Sequence, residues 1–412
     1  MRTTFAILFE SLRGRLGALE ERPFRLLWIG QAASAAGDAL VPVALAFAVL
    51  GLRGSASDLG LVLAAFTVAR AGLIIVGGVW ADRLPRQLVM LAADLVRAAV
   101  QGAVAVLLIS GRAELWQLVV TAVLSGAASA FFMPAATGLV PDTVSPARLQ
   151  QANALMGLTR SVIGIGGPIV SGLVVAGFGA GWVFAVDSVS YVVSAGFLAA
   201  LRIPATRPKE ARESFARELA GGWRELRSRT WVWASIVYFS IWNLAIAPFF
   251  VLGPLVFERE LGGASSWGLN GTGAAIGGVV GGAIALRFRP RRPLTAAYAL
   301  LAVSALQPAL LTFPAPVWML AAAAALAVNN LVIGNTLWLT VLQERIPRDA
   351  ISRVSAYDWM GSLVFMPVGY AVAGPLAGAI GIDTTLWITA AILLGSNVAI
   401  SAVPSIRRLE RL

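Results

Sequence analysis

The chain contains no cysteine and no histidine, and its 32 basic residues are all arginine except Lys209. Without those two residue types it cannot form disulfides, thiolate nucleophiles, Ser/His/Asp triads, or the zinc and haem sites that use them as ligands. Lys209 stands between Pro and Glu, so it is not the lysine of a phosphate-binding loop. We therefore expect no enzymatic activity, no ATP hydrolysis, no cofactor and no resident metal.

Charge is also scarce, because Asp, Glu, Lys and Arg make up only 13% of the 412 residues while 58% are hydrophobic. An ordinary soluble domain is about one quarter charged. A helix needs about 20 apolar residues to cross the hydrocarbon core of a bilayer. The sequence therefore predicts an all-α membrane protein with twelve spans, numbered in chain order, at about 24–50, 59–80, 88–110, 115–139, 154–178, 182–201, 232–257, 267–287, 294–313, 318–342, 355–379 and 384–403.

The basic residues are distributed unequally between the two sides of these spans. On the side of the N-terminal tail there are 26, while the other side has only Arg53, Arg112 and Arg259. This asymmetry predicts that both termini lie in the cytoplasm, and it accounts for the net charge of +11 without a nucleic-acid partner. The predicted organisation is a tail that is not a signal peptide (1–23), a six-helix bundle (24–201), a linker (202–231), a second six-helix bundle (232–403) and a short tail (404–412).

The two predicted bundles resemble each other in sequence. Gly167-Pro168 in span 5 recurs as Gly374-Pro375 in span 11, and Gly77-Gly78 at the end of span 2 recurs as Gly281-Gly282 at the end of span 8. Such repetition is typical of secondary transporters. It predicts two related halves of six helices each.

The loop between spans 2 and 3 reads Gly78-Val-Trp-Ala-Asp82-Arg83-Leu-Pro-Arg86. It resembles the signature loop of the major facilitator superfamily, in which a glycine precedes an acid by four residues and two basic residues follow. Gly78 permits close helix packing, and Arg83 and Arg86 can hold Asp82 through charge-assisted hydrogen bonds. We expect a conformational latch here, with an ordinary positively charged turn as the alternative. The copy in the second half has Leu286 in place of the acid, so a second latch would be weaker.

Span 5 contains Gly164, Gly167, Pro168 and Gly172, a pattern that resembles the Gly-Pro motif of exporters and antiporters in this superfamily. Simple helix packing is the alternative for these small residues. Over residues 126–172 the sequence closely resembles the branch that includes macrolide-efflux and enterobactin-exporter proteins. The resemblance implies the major facilitator fold, with two pseudo-symmetric six-helix bundles, and export of drugs in exchange for protons.

Charged residues inside spans are the strongest candidates for function, since each costs at least about 2.5 kcal/mol at the bilayer centre unless it is paired or hydrated. Asp38 lies midway along span 1 and is the candidate proton carrier, with a permanent ion pair to Arg70 or Arg97 as the alternative. Asp94 and Arg97 lie three residues apart in span 3, so we expect them to pair. Asp187, near the start of span 6, is predicted to be reached by water, and Asp358 lies near one end of span 11.

In this superfamily a cavity between the halves is expected to be lined by spans 1, 4, 7 and 10. Aromatic and amide side chains there suit large amphiphilic compounds, although they can instead pack in the bundle. The candidates are Phe131, Phe132, Trp242, Asn243, Asn329, Asn330 and Trp338. Together these features predict a bacterial plasma-membrane exporter of amphiphilic small molecules that acts as a monomer. A dedicated transporter of a siderophore, lipid or metabolite, by export or uptake, and a non-transporting membrane scaffold or sensor are the rivals.

Overall fold

The computed structural model describes residues 17–203, 226–347 and 351–410, except for the side chains at 75, 78, 79, 81–83, 351–353 and 356. Most of the predicted linker and of the predicted N-terminal tail lies outside these ranges. Every regular element within them is helical. The main helices, under the span numbers used above, are Arg22–Asp38 and Val41–Gly51 (span 1), Ala56–Arg83 (2), Arg86–Ile109 (3), Leu115–Thr143 (4), Leu149–Phe178 (5), Ala180–Ala200 (6), Thr230–Glu260 (7), Gly263–Ala285 (8), Pro293–Leu301 with Leu306–Leu310 (9), Val317–Arg345 (10), Ile351–Leu363 with Met366–Ile380 (11) and Ile382–Ala402 (12).

Eleven of the described spans are long and apolar enough to cross a membrane. Span 8 has 23 residues, which is sufficient length, but its many glycines and polar residues lower its hydropathy. Three of these glycines, Gly273, Gly277 and Gly281, lie four residues apart and face the backbone of span 10. A side chain at any of them would overlap span 10, so small residues allow the two helices to approach closely. Close packing on span 10 therefore offsets the low hydropathy of span 8.

Each half assembles its helices in the same way. In the first half span 2 packs on span 4, span 1 on span 6, and span 3 on spans 4 and 6. In the second half the corresponding pairs, 8 with 10, 7 with 12, and 9 with 10 and 12, are in contact. This repeated pairing confirms the predicted all-α fold with two pseudo-symmetric six-helix bundles.

The two halves touch mainly through two pairs of helices, with smaller contacts of spans 7 and 8 on spans 1 and 2. Span 2 packs on span 11, where Gly60 faces the backbone of Tyr370 and Gly374 faces that of Ser57. Span 5 packs on span 8, where Gly268 faces the backbone of Pro168. All these contacts lie in the parts of the helices remote from the chain termini. We call that the far end of the molecule, and the opposite one the terminal end.

The buried hydrophobic clusters show the same difference between the two ends of the molecule. At the far end, one cluster joins Ala56 and Ala64 of the first half to spans 7 and 9 to 12, and another joins Ala264 and Trp267 of span 8 to spans 1 to 6. At the terminal end, the large clusters each draw on a single half. The described structure is therefore closed between the halves at the far end and open towards the terminal end.

Candidate functional site

Span 1 breaks in the middle, directly after Asp38. The first helix ends at Asp38 and the second begins at Val41, because Pro42 has no N–H to donate to the carbonyl of Asp38 four residues earlier. The carbonyl of Leu40 in the break accepts a hydrogen bond from Ser171 of span 5 (2.6 Å). The Asp38 side chain is 50% exposed. Broken helices with an accessible acid are a recurrent form of coupling-ion site in transporters.

Asp38 is joined to a buried acidic network contributed by spans 3 and 6. The Tyr191 hydroxyl donates to Asp38 Oδ1 (2.5 Å), and the Arg97 guanidinium lies 4.0 Å from Oδ2. Arg97 also donates to Asp94 Oδ1 at 2.5 Å, which confirms the expected pair within span 3. The guanidinium lies over the rings of Phe132 and Tyr191, 4.2 and 4.3 Å from their centroids, a favourable cation–π arrangement. Arg97 is thus fixed in place by an acid and two rings.

The prediction that water reaches Asp187 is wrong in this conformation, since its side chain is fully buried. Asp187 Oδ2 accepts a hydrogen bond from Gln101 of span 3 (2.8 Å). On the other side, Gly37 of span 1 lies so close that a methyl group there would overlap Asp187 Oδ1. Asp187 therefore belongs to the acidic network, which we define as Asp38, Asp94, Arg97, Gln101, Asp187 and Tyr191.

Arg70 does not pair with Asp38, because it makes no hydrogen bond or ion pair with any described residue and its side chain is exposed. It shares a face of span 2 with Leu63, which packs inside the bundle. Leu61 and Val68, which are exposed, lie on a different face. That placement directs it towards the space between the halves. Of the alternatives for Asp38, the Arg97 contact is the one that forms.

Of the predicted latch, only the surroundings of Arg86 are described; those of Gly78 and the side chains of Asp82 and Arg83 lie outside the described part. Arg86 donates to the carbonyl of Gly138 (2.8 Å) and to Asp142 Oδ2 (3.1 Å), both in span 4. No motif in the sequence singles out Asp142. Next to it, Gln87 donates to the carbonyls of Leu198 and Leu201 and so satisfies the end of span 6. This loop ties spans 3, 4 and 6 together at the terminal end.

The Gly-Pro segment of span 5 packs against two other spans. Gly167 faces Ala39 in the break of span 1, and Gly172 faces Ala264 of span 8. Pro168 packs on Gly268 and Gly271, while Gly164 has open space beside it. The segment therefore links the broken helix that carries Asp38 to the second half of the molecule.

Three of the predicted cavity residues do not line open space in this structure. Phe132 lies under Arg97, and Asn330 is 6% exposed. Trp338 is 2% exposed and donates its indole N–H to Asp358 Oδ2 (2.9 Å), so it serves the core of the second half. The prediction placed them at the cavity because uniformly apolar spans do not reveal which face is buried.

The other four cavity candidates are partly exposed. Phe131 packs edge-on against Trp80, and the indole of Trp242 donates to Ser304 (3.0 Å). Asn243 donates to the backbone carbonyl of Ser362 in span 11 (3.0 Å), which fixes its orientation. Asn329 donates to the neighbouring Asn330 (3.2 Å).

Sequence reasoning missed Tyr191 and Gln101, although a signal existed. Asp94, Arg97 and Gln101 follow one another at spacings of three and four residues, and Asp187 and Tyr191 are four residues apart. Such spacing places each set on one helix face. Two polar faces in otherwise apolar helices are best satisfied by each other, and spans 3 and 6 do pack together.

A comparison with protein families now identifies the fold. The model of the Major Facilitator Superfamily matches residues 27–364. The chain belongs to this superfamily. Membership indicates a transporter and not an enzyme.

Curated members of the superfamily that resemble this chain include efflux proteins. Macrolide efflux protein A of Streptococcus pyogenes is 22% identical over 396 residues, covering 94% of this chain and 97% of that protein. Multidrug efflux pump Tap of Mycolicibacterium fortuitum is 28% identical over 414 residues, with coverage of 94% and 97%.

Solved structures of the superfamily share the fold at lower identity. A nucleoside transporter, NupG (D323A mutant), has a TM-score of 0.72 at 14% identity, covering 92% of this chain and 99% of that one. An inward-facing bacterial homologue of the iron transporter ferroportin has a TM-score of 0.69 at 17% identity, with coverage of 93% and 99%.

Proposed function

We propose that this protein is a secondary active transporter that exports amphiphilic small molecules, including macrolide-like drugs, in exchange for protons by alternating access. The observation that carries the proposal is Asp38, a half-exposed carboxyl at the break of span 1, held by Tyr191 and Arg97. An ionisable group inside a membrane is a functional hypothesis by default, because its cost must be offset by a role.

The direction rests on the charge distribution of the sequence. With 26 of 32 basic residues on the side of the termini, the terminal end faces the cytoplasm of a bacterial cell. The opening between the halves then receives substrate from the cytoplasm. The similarity to a macrolide efflux protein and a multidrug efflux pump supports export over uptake.

The helix contacts support a two-state cycle. At the far end, the contacts between spans 2 and 11 and between spans 5 and 8 close the cavity to the outside. In the opposite state these contacts separate and the terminal end closes. We assign the Gly78, Asp82, Arg83 and Arg86 loop to that second state, as a latch at the terminal end that steadies it.

The exchange uses Asp38 as follows. In the inward-open state Asp38 releases its proton to the cytoplasm, and substrate enters the cavity beside Phe131, Trp242, Asn243 and Asn329. In the outward-open state substrate leaves and Asp38 takes a proton from outside. A proton neutralises the Asp38 carboxylate and so removes its attraction to Arg97, which lies 4.0 Å away. The two parts of span 1, on either side of the break, are then free to move.

The proposal is tested in vesicles that carry the purified protein with its terminal end outwards and an acidic interior. Macrolides, cationic dyes, siderophores and nucleosides are added in turn, and a trapped pH indicator is followed. We expect proton efflux on adding macrolides or dyes and none in protein-free vesicles. A response to one siderophore or nucleoside alone would replace the multidrug assignment with a dedicated transporter, and no response from folded, inserted protein would favour a scaffold.

A further inference from the structure

The acidic network has more carboxyl groups than its one cation can balance. Asp38, Asp94 and Asp187 share the single guanidinium of Arg97, which donates to Asp94 at 2.5 Å and lies 4.0 Å from Asp38. No ion pair reaches Asp187 from any residue the structure describes. With every carboxyl ionised, the network would hold two uncompensated negative charges inside the membrane.

Asp187 also has few hydrogen-bond donors among the described residues. Its Oδ2 accepts from Gln101, but its Oδ1 is buried and has no donor among the described residues. The neighbouring hydroxyls are already used, since Ser190 donates to the backbone carbonyl of Asp187 (2.7 Å) and Tyr191 donates to Asp38. Gly37 covers Oδ1 so closely that no water fits between them. A carboxylate in this position would be satisfied on one oxygen only.

Gln101, the hydrogen-bond partner of Asp187, also has a buried oxygen that lacks a donor. Gln101 Oε1 is buried and accepts no hydrogen bond from the described part of the chain. An ionised carboxyl can only accept hydrogen bonds, whereas a protonated one also donates. Turning the Gln101 amide over exchanges the positions of its oxygen and its nitrogen, which have similar sizes. If Asp187 carries a proton, its hydroxyl can then donate to Gln101 Oε1. One proton thus removes a buried charge and keeps one hydrogen bond between the two side chains, with Gln101 Oε1 now accepting in place of Asp187 Oδ2.

Two described groups beside Asp187 could stabilise its ionised form, Arg97 and the Ser190 hydroxyl, and both have other partners: Arg97 pairs with Asp94, and Ser190 donates to the backbone carbonyl of Asp187. Asp38 and Arg97 interact with Asp187 electrostatically, as does Tyr191 of its own helix, and Asp94 lies one turn before Arg97. The second helix of span 1 has no titratable residue, and the one charged residue of span 5, Arg160, is exposed. Of the two acids nearest to Arg97, Asp94 is paired with it directly and Asp38 is exposed to water.

We infer that Asp187 is a positioning residue that holds its proton throughout the transport cycle, so that Asp38 alone exchanges a proton and one proton moves per substrate. Asp187 acts through Gln101 and Gly37, which set the position of span 1 against spans 3 and 6. The stoichiometry rests on the proposed exchange at Asp38. The protonation of Asp187 does not, because it concerns the resting protein.

Infrared spectroscopy of the purified protein in lipid, without substrate, tests the protonation. At about pH 8, where ordinary carboxyls are ionised, we expect a C=O stretching band of a protonated carboxylic acid. Asp187→Asn should remove that band, whereas Asp38→Asn and the matched control Asp383→Asn, at an exposed position in span 12, should retain it. Absence of the band in the wild type, or its survival in Asp187→Asn, would overturn the inference.

If Asp187→Asn does not fold, Gln101→Leu provides the second variant. Removing the acceptor should shift the band to higher frequency, and an unmoved band would contradict the assignment to Asp187. In flux measurements, the proton-to-substrate ratio should be one in both wild type and Asp187→Asn. A ratio of two that falls to one in the variant would show that Asp187 cycles its proton. If the infrared band is present but no proton flux accompanies substrate transport, the proposed exchange at Asp38 is refuted, while the protonation of Asp187 stands.

Discussion

Replacing Gly374 with leucine is expected to drive the two halves apart at the far end and populate the outward-open state. Gly374 packs directly on the backbone of Ser57 in span 2, so a side chain can be accommodated only by separating spans 2 and 11. Forcing extra atoms into a tight contact typically costs about 1–3 kcal/mol. Because about 1.4 kcal/mol is tenfold in an equilibrium, the outward-open fraction should rise about 5- to 150-fold relative to the inward-open one.

The chain is well suited to measuring this shift, because it contains no native cysteine. Cysteines introduced at the exposed Arg112 and Asp383, one in each half at the far end, can carry spin labels whose separation is measured. We expect longer distances in Gly374→Leu. The matched control is Gly378→Leu, one turn along the same helix, where an added Cβ meets no atom within 4 Å. Equal distance distributions in both variants would contradict the role of the span 2 and span 11 contact as the far-end closure.

Asp38→Asn is expected to separate substrate binding from proton movement. The asparagine keeps the size of the side chain and can still accept from the Tyr191 hydroxyl, but it cannot exchange a proton or attract Arg97. Coupling free energies of 1–3 kcal/mol correspond to about 5- to 150-fold effects. Substrate-driven proton flux in vesicles should fall by about that factor, while substrate still binds.

The matched control for Asp38→Asn is Asp358→Asn, at a buried carboxyl in span 11 of the other half. Asp358 accepts from Trp338 and Ser362 and does not contact the acidic network. Its substitution should lower stability through the loss of charge-assisted hydrogen bonds but leave the proton-to-substrate ratio unchanged. Normal proton flux in Asp38→Asn, or uncoupling in Asp358→Asn, would move the coupling site away from span 1.

The helices and their repetition could be predicted from the sequence, because apolar length is a strong signal in a membrane protein. Span 8 was placed at 267–287 even though its glycines lower its hydropathy, and the structure has it at Gly263–Ala285. The close pair Asp94 and Arg97 also followed from local spacing. The break in span 1 was not predicted, although Pro42 four residues after Asp38 was a visible reason for it.

The site itself depends on which helix faces meet, and local patterns in uniformly apolar spans do not determine that. The position of Asp187 near one end of span 6 predicts that water reaches it, but the bare backbone of Gly37 on another helix covers it. The aromatic character of Trp338 and its place in span 10 predict a cavity residue, yet its indole N–H donates to Asp358 in span 11. In both cases the deciding contact comes from a distant part of the chain.

The most direct test of exchange at Asp38 is the dissociation constant of one transported amphiphile measured across a series of pH values. We take the proton and the substrate to exclude each other through a single carboxyl. Linkage then requires the dissociation constant to rise about tenfold for each unit by which the pH falls, at pH values where that carboxyl is mostly protonated. The wild type should show that slope of one, and Asp38→Asn should bind with an affinity independent of pH. Wild-type binding that is independent of pH, or that tightens as the pH falls, would contradict proton exchange at Asp38.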